Sequence, residues 1–124
     1  MRSRLLALAL ASVALLAACG SDGGDSVEGD SVTVEMYDNR YEFTEIHIPV
    51  GGSVTWVGAG GSPHNAVEAE GLWSTETVFG SLDQLEGDEA TLTYDTAGTY
   101  TFYCTYHGNA RGSGMAGVLI VGDG

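Results

Sequence analysis

The chain has 124 residues, which is enough for one domain, and it carries 17 acidic residues against four basic ones. Its formal charge of −13 at pH 7 excludes binding to nucleic acid or to an anionic membrane surface through its own charges. The acidic residues are scattered rather than clustered. They could steer the protein toward a basic partner or serve as an adaptation to solubility and high salt, and the sequence leaves both open.

Residues 1–18 are predicted to be an export signal. Residues 1–4 form a short basic segment, and residues 5–18 form an apolar segment too short to span a bilayer comfortably. The signal ends in Leu-Ala-Ala before Cys19, which resembles the lipobox of bacterial lipoproteins. An ordinary signal peptide that is cleaved before a cysteine is the alternative. We predict a lipid anchor on Cys19 and an extracytoplasmic location at the cell membrane, in the periplasm or at the cell surface.

A flexible, acidic linker is predicted to follow over residues 19–31, because this segment is rich in glycine, serine and aspartate. From residue 32 the composition changes to short runs of β-branched and aromatic residues that alternate with polar ones. Residues 32–122 are therefore predicted to form the folded domain.

The domain is predicted to be all-β. Candidate strands cover residues 32–36, 41–43, 46–50, 53–57, 64–68, 90–94, 99–104 and 116–121. Residues 70–89 lack a clear period and are compatible with a single helical turn. About seven to eight short strands at close spacing favour an antiparallel Greek-key β-sandwich of two sheets.

Four side chains in this pattern can bind a metal ion. Cys104 is the only cysteine outside the signal region, and His107 follows it by three residues, with Met115 further on and His64 upstream. Two imidazoles, a thiolate and a weak thioether are the ligands of a mononuclear blue-copper site. The thioether beside a thiolate favours copper over zinc. We predict one copper ion that alternates between Cu(I) and Cu(II).

The spacing of these residues constrains the local backbone. Cys104 follows Phe102 at a period of two, which places the thiol on the core side of a strand. A regular strand would put His107 about 10 Å from Cys104, whereas ligands of one ion lie within roughly 4 Å of each other. The chain is therefore expected to turn directly after Cys104, with Gly108 completing the turn. Asn65 is expected either to link the two ligand loops by hydrogen bonds or to be solvated at a strand edge.

These pieces together resemble plastocyanin-like cupredoxins. The matching stretches are Asp38, Asn39, Phe43, residues 46–56, 63–65 and 98–104, His107 and residues 114–117. The resemblance implies an eight-stranded Greek-key sandwich with a type 1 copper near one end, and His64, Cys104, His107 and Met115 match the ligand positions of the family. The seven residues between His107 and Met115 are more than plastocyanin itself has. This insertion could lengthen or reorient the axial contact, and it brings Arg111 near the metal end.

Electron transfer is the function that this reading favours. His107 would present its ring edge to a redox partner such as a cytochrome or an oxidase, and Tyr103 would offer a second route beside Cys104. Copper storage or delivery is the alternative, but delivery sites tend to be rich in methionine and the chain has three methionines in all. A single metal site without a second histidine cluster argues against an enzyme. The carrier is expected to be a monomer.

Overall fold

The computed structural model describes residues 25–124. Two β-sheets and one short helix make up this part of the chain. The elements are β1 (Ser26–Glu28), β2 (Ser31–Tyr37), β3 (Arg40–Tyr41), β4 (Glu45–Ile48), β5 (Gly52–Gly58), β6 (Val67–Glu68), α1 (Thr75–Phe79), β7 (Glu89–Tyr94), β8 (Gly98–Gly108) and β9 (Gly114–Val121). Within the described range no helix has the length and the apolar character needed to cross a membrane.

The strands form a five-stranded sheet in the order β1-β4-β9-β8-β6 and a four-stranded sheet in the order β3-β2-β5-β7. The prediction of an all-β, two-sheet sandwich is confirmed. The pairing differs from the antiparallel expectation, because β1–β4, β4–β9 and β2–β5 are parallel. The chain changes sheets after β3 and again after β4, so β5 returns beside β2 running in the same direction.

The core lies between the two sheets and contains a cluster of packed aromatic side chains. Every second residue of β7 is buried, as expected for a strand with one face in the core. Trp56 on β5 is fully buried and packs edge-on against Tyr41 and Phe102, with ring centroids 5.8 and 5.0 Å away. Trp73, just before α1, stacks on the same indole at 5.9 Å. These aromatic contacts join the sheets without a disulfide in the described residues.

The ordered sheet begins earlier than predicted. Strand β1, Ser26–Glu28, pairs with β4, and the backbone oxygen of Asp25 accepts a hydrogen bond from Thr44 N. The predicted flexible linker over residues 19–31 is therefore wrong for Ser26–Glu28. The strand was not predicted because its composition is polar. As an edge strand it needs only one apolar contact, and Val27 supplies it by packing against the core. The predicted signal sequence and Cys19 lie outside the described residues.

Replacing Gly117 by alanine is expected to destabilise the fold. The added Cβ would lie 2.5 Å from Phe102 Cζ and 2.7 Å from the backbone oxygen of Thr44. Overpacking of this kind typically costs about 1–3 kcal/mol in the free energy of unfolding, which urea denaturation of the copper-free protein would measure. Gly29→Ala is the control, because its Cβ would make ordinary contacts starting at 3.6 Å. The control should change the stability by less than about 0.5 kcal/mol, and equal losses in both variants would contradict this packing argument.

Candidate metal centre

Strand β8 places Cys104 in the interior. Phe102 and Cys104 are both fully buried, whereas Tyr103 between them is only half-buried and lies on the opposite face. The expected orientation of the thiol toward the core is therefore present. The side chains of Phe102 and Cys104 both belong to the buried core cluster.

A β-bulge brings His107 back to Cys104. Tyr103 pairs with Ala116 and Gly108 pairs with Gly114, so the four residues 104–107 face the single residue Met115 on β9. This bulge replaces the expected turn, because the strand continues to Gly108 instead of ending after Cys104. His107 Nδ1 consequently lies 3.8 Å from Cys104 Sγ.

His64 lies in the segment between β5 and β6. Its backbone forms an isolated antiparallel bridge with Gln84, with both N···O distances at 3.1 Å. It does not open a long strand as predicted, because β6 begins only at Val67. His64 Nδ1 lies 3.8 Å from Cys104 Sγ, and the side chain is fully buried.

The three side chains His64, Cys104 and His107 form a compact donor set. One ligand atom of each lies within 4.8 Å of the others, and the two imidazole centroids are 5.0 Å apart. Bonds of about 2.0–2.3 Å from one ion require separations close to these. A thiolate with two imidazoles is the donor chemistry of a trigonal copper site, so the residues fit such an ion.

Met115 lies opposite the bulge and is 1% exposed. Of the seven residues between His107 and Met115, residues 109–113 form the tip of a hairpin that is closed by the paired glycines Gly108 and Gly114. A Cβ on Gly108 would lie 2.3 Å from the backbone oxygen of Met115, so this close approach requires glycine. The side chain of Asn109 accepts hydrogen bonds from two backbone N–H groups of the tip, and Arg111 is exposed there.

A family model described as copper binding proteins, plastocyanin/azurin family, matches residues 29–122. The chain belongs to this family. The predicted cofactor, one copper ion, is confirmed by this membership together with the donor set.

Individual relatives agree with the assignment to the plastocyanin/azurin family. Amicyanin from Paracoccus denitrificans is 33% identical over 86 residues, covering 69% of this chain and 65% of the relative. Chloroplastic plastocyanin from Physcomitrium patens is 34% identical over 120 residues, covering 92% of this chain and 66% of the relative. The chain thus spans slightly less than two thirds of each of these curated relatives.

Solved structures share the fold. A reduced amicyanin variant has a TM-score of 0.56 at 26% identity, with 73% of this chain and 81% of that chain covered. A copper-containing nitrite reductase from Thermus scotoductus SA-01 has a TM-score of 0.60 at 21% identity. The match covers 76% of this chain but 23% of the reductase, and it shows the fold alone.

Asn65 connects the loop of His64 to the strand of Cys104 in this family member. Its side-chain nitrogen donates to Thr105 Oγ1 at 2.8 Å and to the backbone oxygen of Leu82 at 3.1 Å. Its side-chain oxygen accepts from Thr105 N at 3.0 Å. Asn65 is fully buried, so the structure shows the linking hydrogen bonds and not a solvated strand edge.

Asp38 is a contact of the site that the sequence reasoning missed. Its Oδ1 lies 2.9 Å from Nε2 of His64, and its carboxylate also accepts hydrogen bonds from Gly61 N and Ser62 N at 3.2 Å. The hydrogen bond with His64 and then the two backbone N–H groups hold the pKa of Asp38 below its usual value. The contact spans 26 residues in sequence, and the sequence analysis included Asp38, which directly follows β2, only among the stretches that resemble the cupredoxins.

Two tyrosines flank Cys104 on the outside of the site. Tyr103 is the residue predicted to offer a second electron route, and it pairs with Val67 of β6 at the edge of the five-stranded sheet. Tyr106 is half exposed and donates a hydrogen bond to Asp83, which raises the pKa of Tyr106. Both residues are near Cys104 in the sequence, but neither side chain enters the core as Cys104 does.

The Asn65→Ala variant tests the connection between the ligand loops. It would leave the N–H of Thr105 and the carbonyl of Leu82 without their partner, and two part-buried hydrogen bonds at about 0.5–1.5 kcal/mol each contribute about 1–3 kcal/mol together. We expect urea denaturation of the copper-free protein to show a loss in that range and the amide of Thr105 to exchange faster. Asn109→Ala, which also removes side-chain to backbone hydrogen bonds but in the exposed hairpin, should cost less than about 1 kcal/mol. A larger loss for Asn109→Ala would contradict the prediction.

Proposed function

We propose that the protein is a mononuclear type 1 copper electron-transfer protein that shuttles single electrons between extracytoplasmic redox partners. The observation that carries the proposal is the buried cluster of His64, Cys104 and His107, whose donor atoms already lie within 4.8 Å of one another. Copper bound there would supply one-electron redox chemistry. The chain contributes a fixed arrangement of donors, so little has to move when the oxidation state changes.

In this proposal His64, Cys104 and His107 are the strong ligands and Met115 is the weak axial ligand. The strand register supports the role of Met115, because it is the single residue opposite the bulge that contains Cys104 and His107. The other methionine of the described residues, Met36, is fully buried in β2 and packs in the core. Burial of the thiolate excludes water from the metal–sulfur bond, and the hydrogen bonds of Asn65 hold the two ligand loops together.

Electrons would enter or leave through the exposed side of the cluster. His64 and Cys104 have no solvent exposure, whereas His107 is half-buried and lies beside the exposed ring of Tyr106. His107 is therefore the ligand that a partner can approach, and Tyr103 on the outer sheet face offers a second route. The full burial of two donors leaves no open position for a substrate at them, which supports a carrier rather than an enzyme.

The partner would be a redox protein such as a cytochrome or an oxidase. The formal charge of −13 favours a partner with a basic docking surface, because complementary charge increases the rate of encounter. We propose that the carrier acts as a monomer and that a lipid on Cys19 keeps it at the outer side of the membrane. A tethered carrier of this kind would search for its partner along the membrane surface.

The colour of the copper-loaded protein tests this function. We expect an intense blue absorption that disappears on adding ascorbate and returns on reoxidation. Cys104→Ala should abolish the colour because it removes the thiolate, whereas Met115→Leu should retain part of it and shift the reduction potential because the axial bond is weak. Visible and paramagnetic-resonance spectra measure both effects.

Copper storage or delivery is the competing function. It would give a colourless protein that loses copper readily to a competing chelator, and that result would overturn the electron-carrier proposal. Equal loss of colour in Cys104→Ala and Met115→Leu would instead show that Met115 is not a weak axial ligand.

The lipid anchor is tested separately, by expressing the whole chain and measuring its partition into a detergent phase. We expect Cys19→Ala to move the protein to the aqueous phase because the acceptor of the lipid is gone. Cys104→Ala is the matched cysteine control and should stay in the detergent phase. Aqueous partition of the unaltered protein would contradict the anchor and leave the copper site unaffected.

A further inference from the structure

We infer that Asp38 is a positioning residue of the copper site: it fixes which nitrogen of His64 is free to bind the metal, and its negative charge lowers the reduction potential. This inference rests on the proposed function. Asp38 directly follows β2, and its Oδ1 lies 2.9 Å from Nε2 of His64. The imidazole is fully buried, while the carboxylate side chain is 52% exposed.

The hydrogen bond decides the tautomer of His64. An ionised carboxylate can only accept, so the nitrogen that faces it, Nε2, carries the proton. A neutral imidazole then has its lone pair on Nδ1, the atom that lies 3.8 Å from Cys104 Sγ. In the neutral ring, Asp38 thus places the proton on Nε2 and leaves Nδ1, the nitrogen that faces Cys104, with the lone pair.

The same carboxylate holds the loop that precedes His64. It accepts hydrogen bonds from Gly61 N and Ser62 N, so one side chain fixes both the ring and the backbone leading to it. The contact is tight, because a Cβ on Gly60 would lie 2.1 Å from Asp38 Oδ1. Residues 60–62 therefore wrap around the carboxylate, and only glycine fits at position 60.

Asp38 is hydrogen-bonded to one of the two imidazole ligands, His64. Within residues 25–124, His107 has no carboxylate among its hydrogen-bond partners, and its ring contacts are with Cys104, His64 and Tyr106. A carboxylate bonded to the outer nitrogen of a metal-binding histidine makes that ligand more basic. A more basic ligand stabilises Cu(II) relative to Cu(I), so the potential is lower than it would be with a neutral partner.

The Asp38→Asn variant separates charge from geometry. Its amide oxygen, in the place of Oδ1, can still accept from His64 Nε2 and Ser62 N, whereas the amide nitrogen cannot accept from Gly61 N, and the negative charge is gone. We expect the Cu(I)/Cu(II) ratio at a fixed potential to rise by roughly tenfold, equivalent to an increase of about 59 mV in the reduction potential. The blue absorption should remain. Solvent at the half-exposed carboxylate screens part of its charge, so an effect much beyond this is not expected.

The Asp38→Leu variant removes the acceptor as well. In the copper-free protein, nitrogen NMR shifts of the His64 ring should lose the pure Nε2–H pattern of the unaltered chain, and copper affinity should fall by roughly 10- to 100-fold. The NMR measurement needs no copper. If Asp38→Leu does not fold, the potential of Asp38→Asn still decides the inference.

Glu45→Gln provides the matched control. Glu45 lies 3.2 Å from His47 Nε2, so it is also a carboxylate beside an imidazole, but His47 is not part of the donor set. Its removal should change the Cu(I)/Cu(II) ratio by less than about twofold because exposed charges are screened. The inference is overturned if Asp38→Asn and Glu45→Gln shift the potential equally, or if His64 keeps its Nε2–H tautomer in Asp38→Leu. A colourless unaltered protein would overturn the proposed function instead, while the NMR result would still decide whether Asp38 sets the tautomer.

Discussion

Two donor atoms three residues apart on one strand cannot bind the same ion unless the backbone leaves its regular pairing. The bulge of β8 meets this constraint by setting residues 104–107 against Met115 alone. Cys104 keeps its place in the alternating pattern, and His107 returns to within 3.8 Å of its sulfur. Other contacts of the site stabilise this bulge or hold His64 beside it. The hydrogen bonds between Asn65 and Thr105 do both, because Thr105 lies inside the bulge.

The aromatic core and the metal site are physically continuous. Tyr41 packs against Trp56 and Phe102 and donates its hydroxyl hydrogen bond to the backbone oxygen of Asn65 at 2.7 Å. Burial raises the pKa of Tyr41 well above its usual value, so the hydroxyl stays protonated and remains a donor. The side chains that hold the sheets together therefore also fix the backbone next to His64. Sandwich stability and ligand placement cannot be altered independently at this end of the molecule.

The sequence was sufficient for the fold class, which depends on local alternation, and for the three clustered donors, whose residue types and positions resemble those of the cupredoxins. Alternation placed Cys104 in the core, and the chemistry of thiolate, imidazole and thioether identified the metal. The sequence was insufficient for the features that depend on tertiary contacts. Strand β1 has almost no apolar residues and forms only because β4 offers a free edge. Asp38 reaches His64 through a loop whose path no local periodicity encodes. The bulge was expected as a turn because spacing alone shows that the strand must deviate but does not show how.

The hairpin between His107 and Met115 is closed at its base by Gly108 and Gly114, whose backbones approach too closely for any side chain. The tip, residues 109–113, holds its shape through the side chain of Asn109 and projects its residues into solvent. The glycine pair therefore fixes where β8 and β9 resume their pairing beside His107 and Met115. The five residues of the tip take no part in that pairing, so exchanging them would change first the solvent-facing surface next to the metal centre.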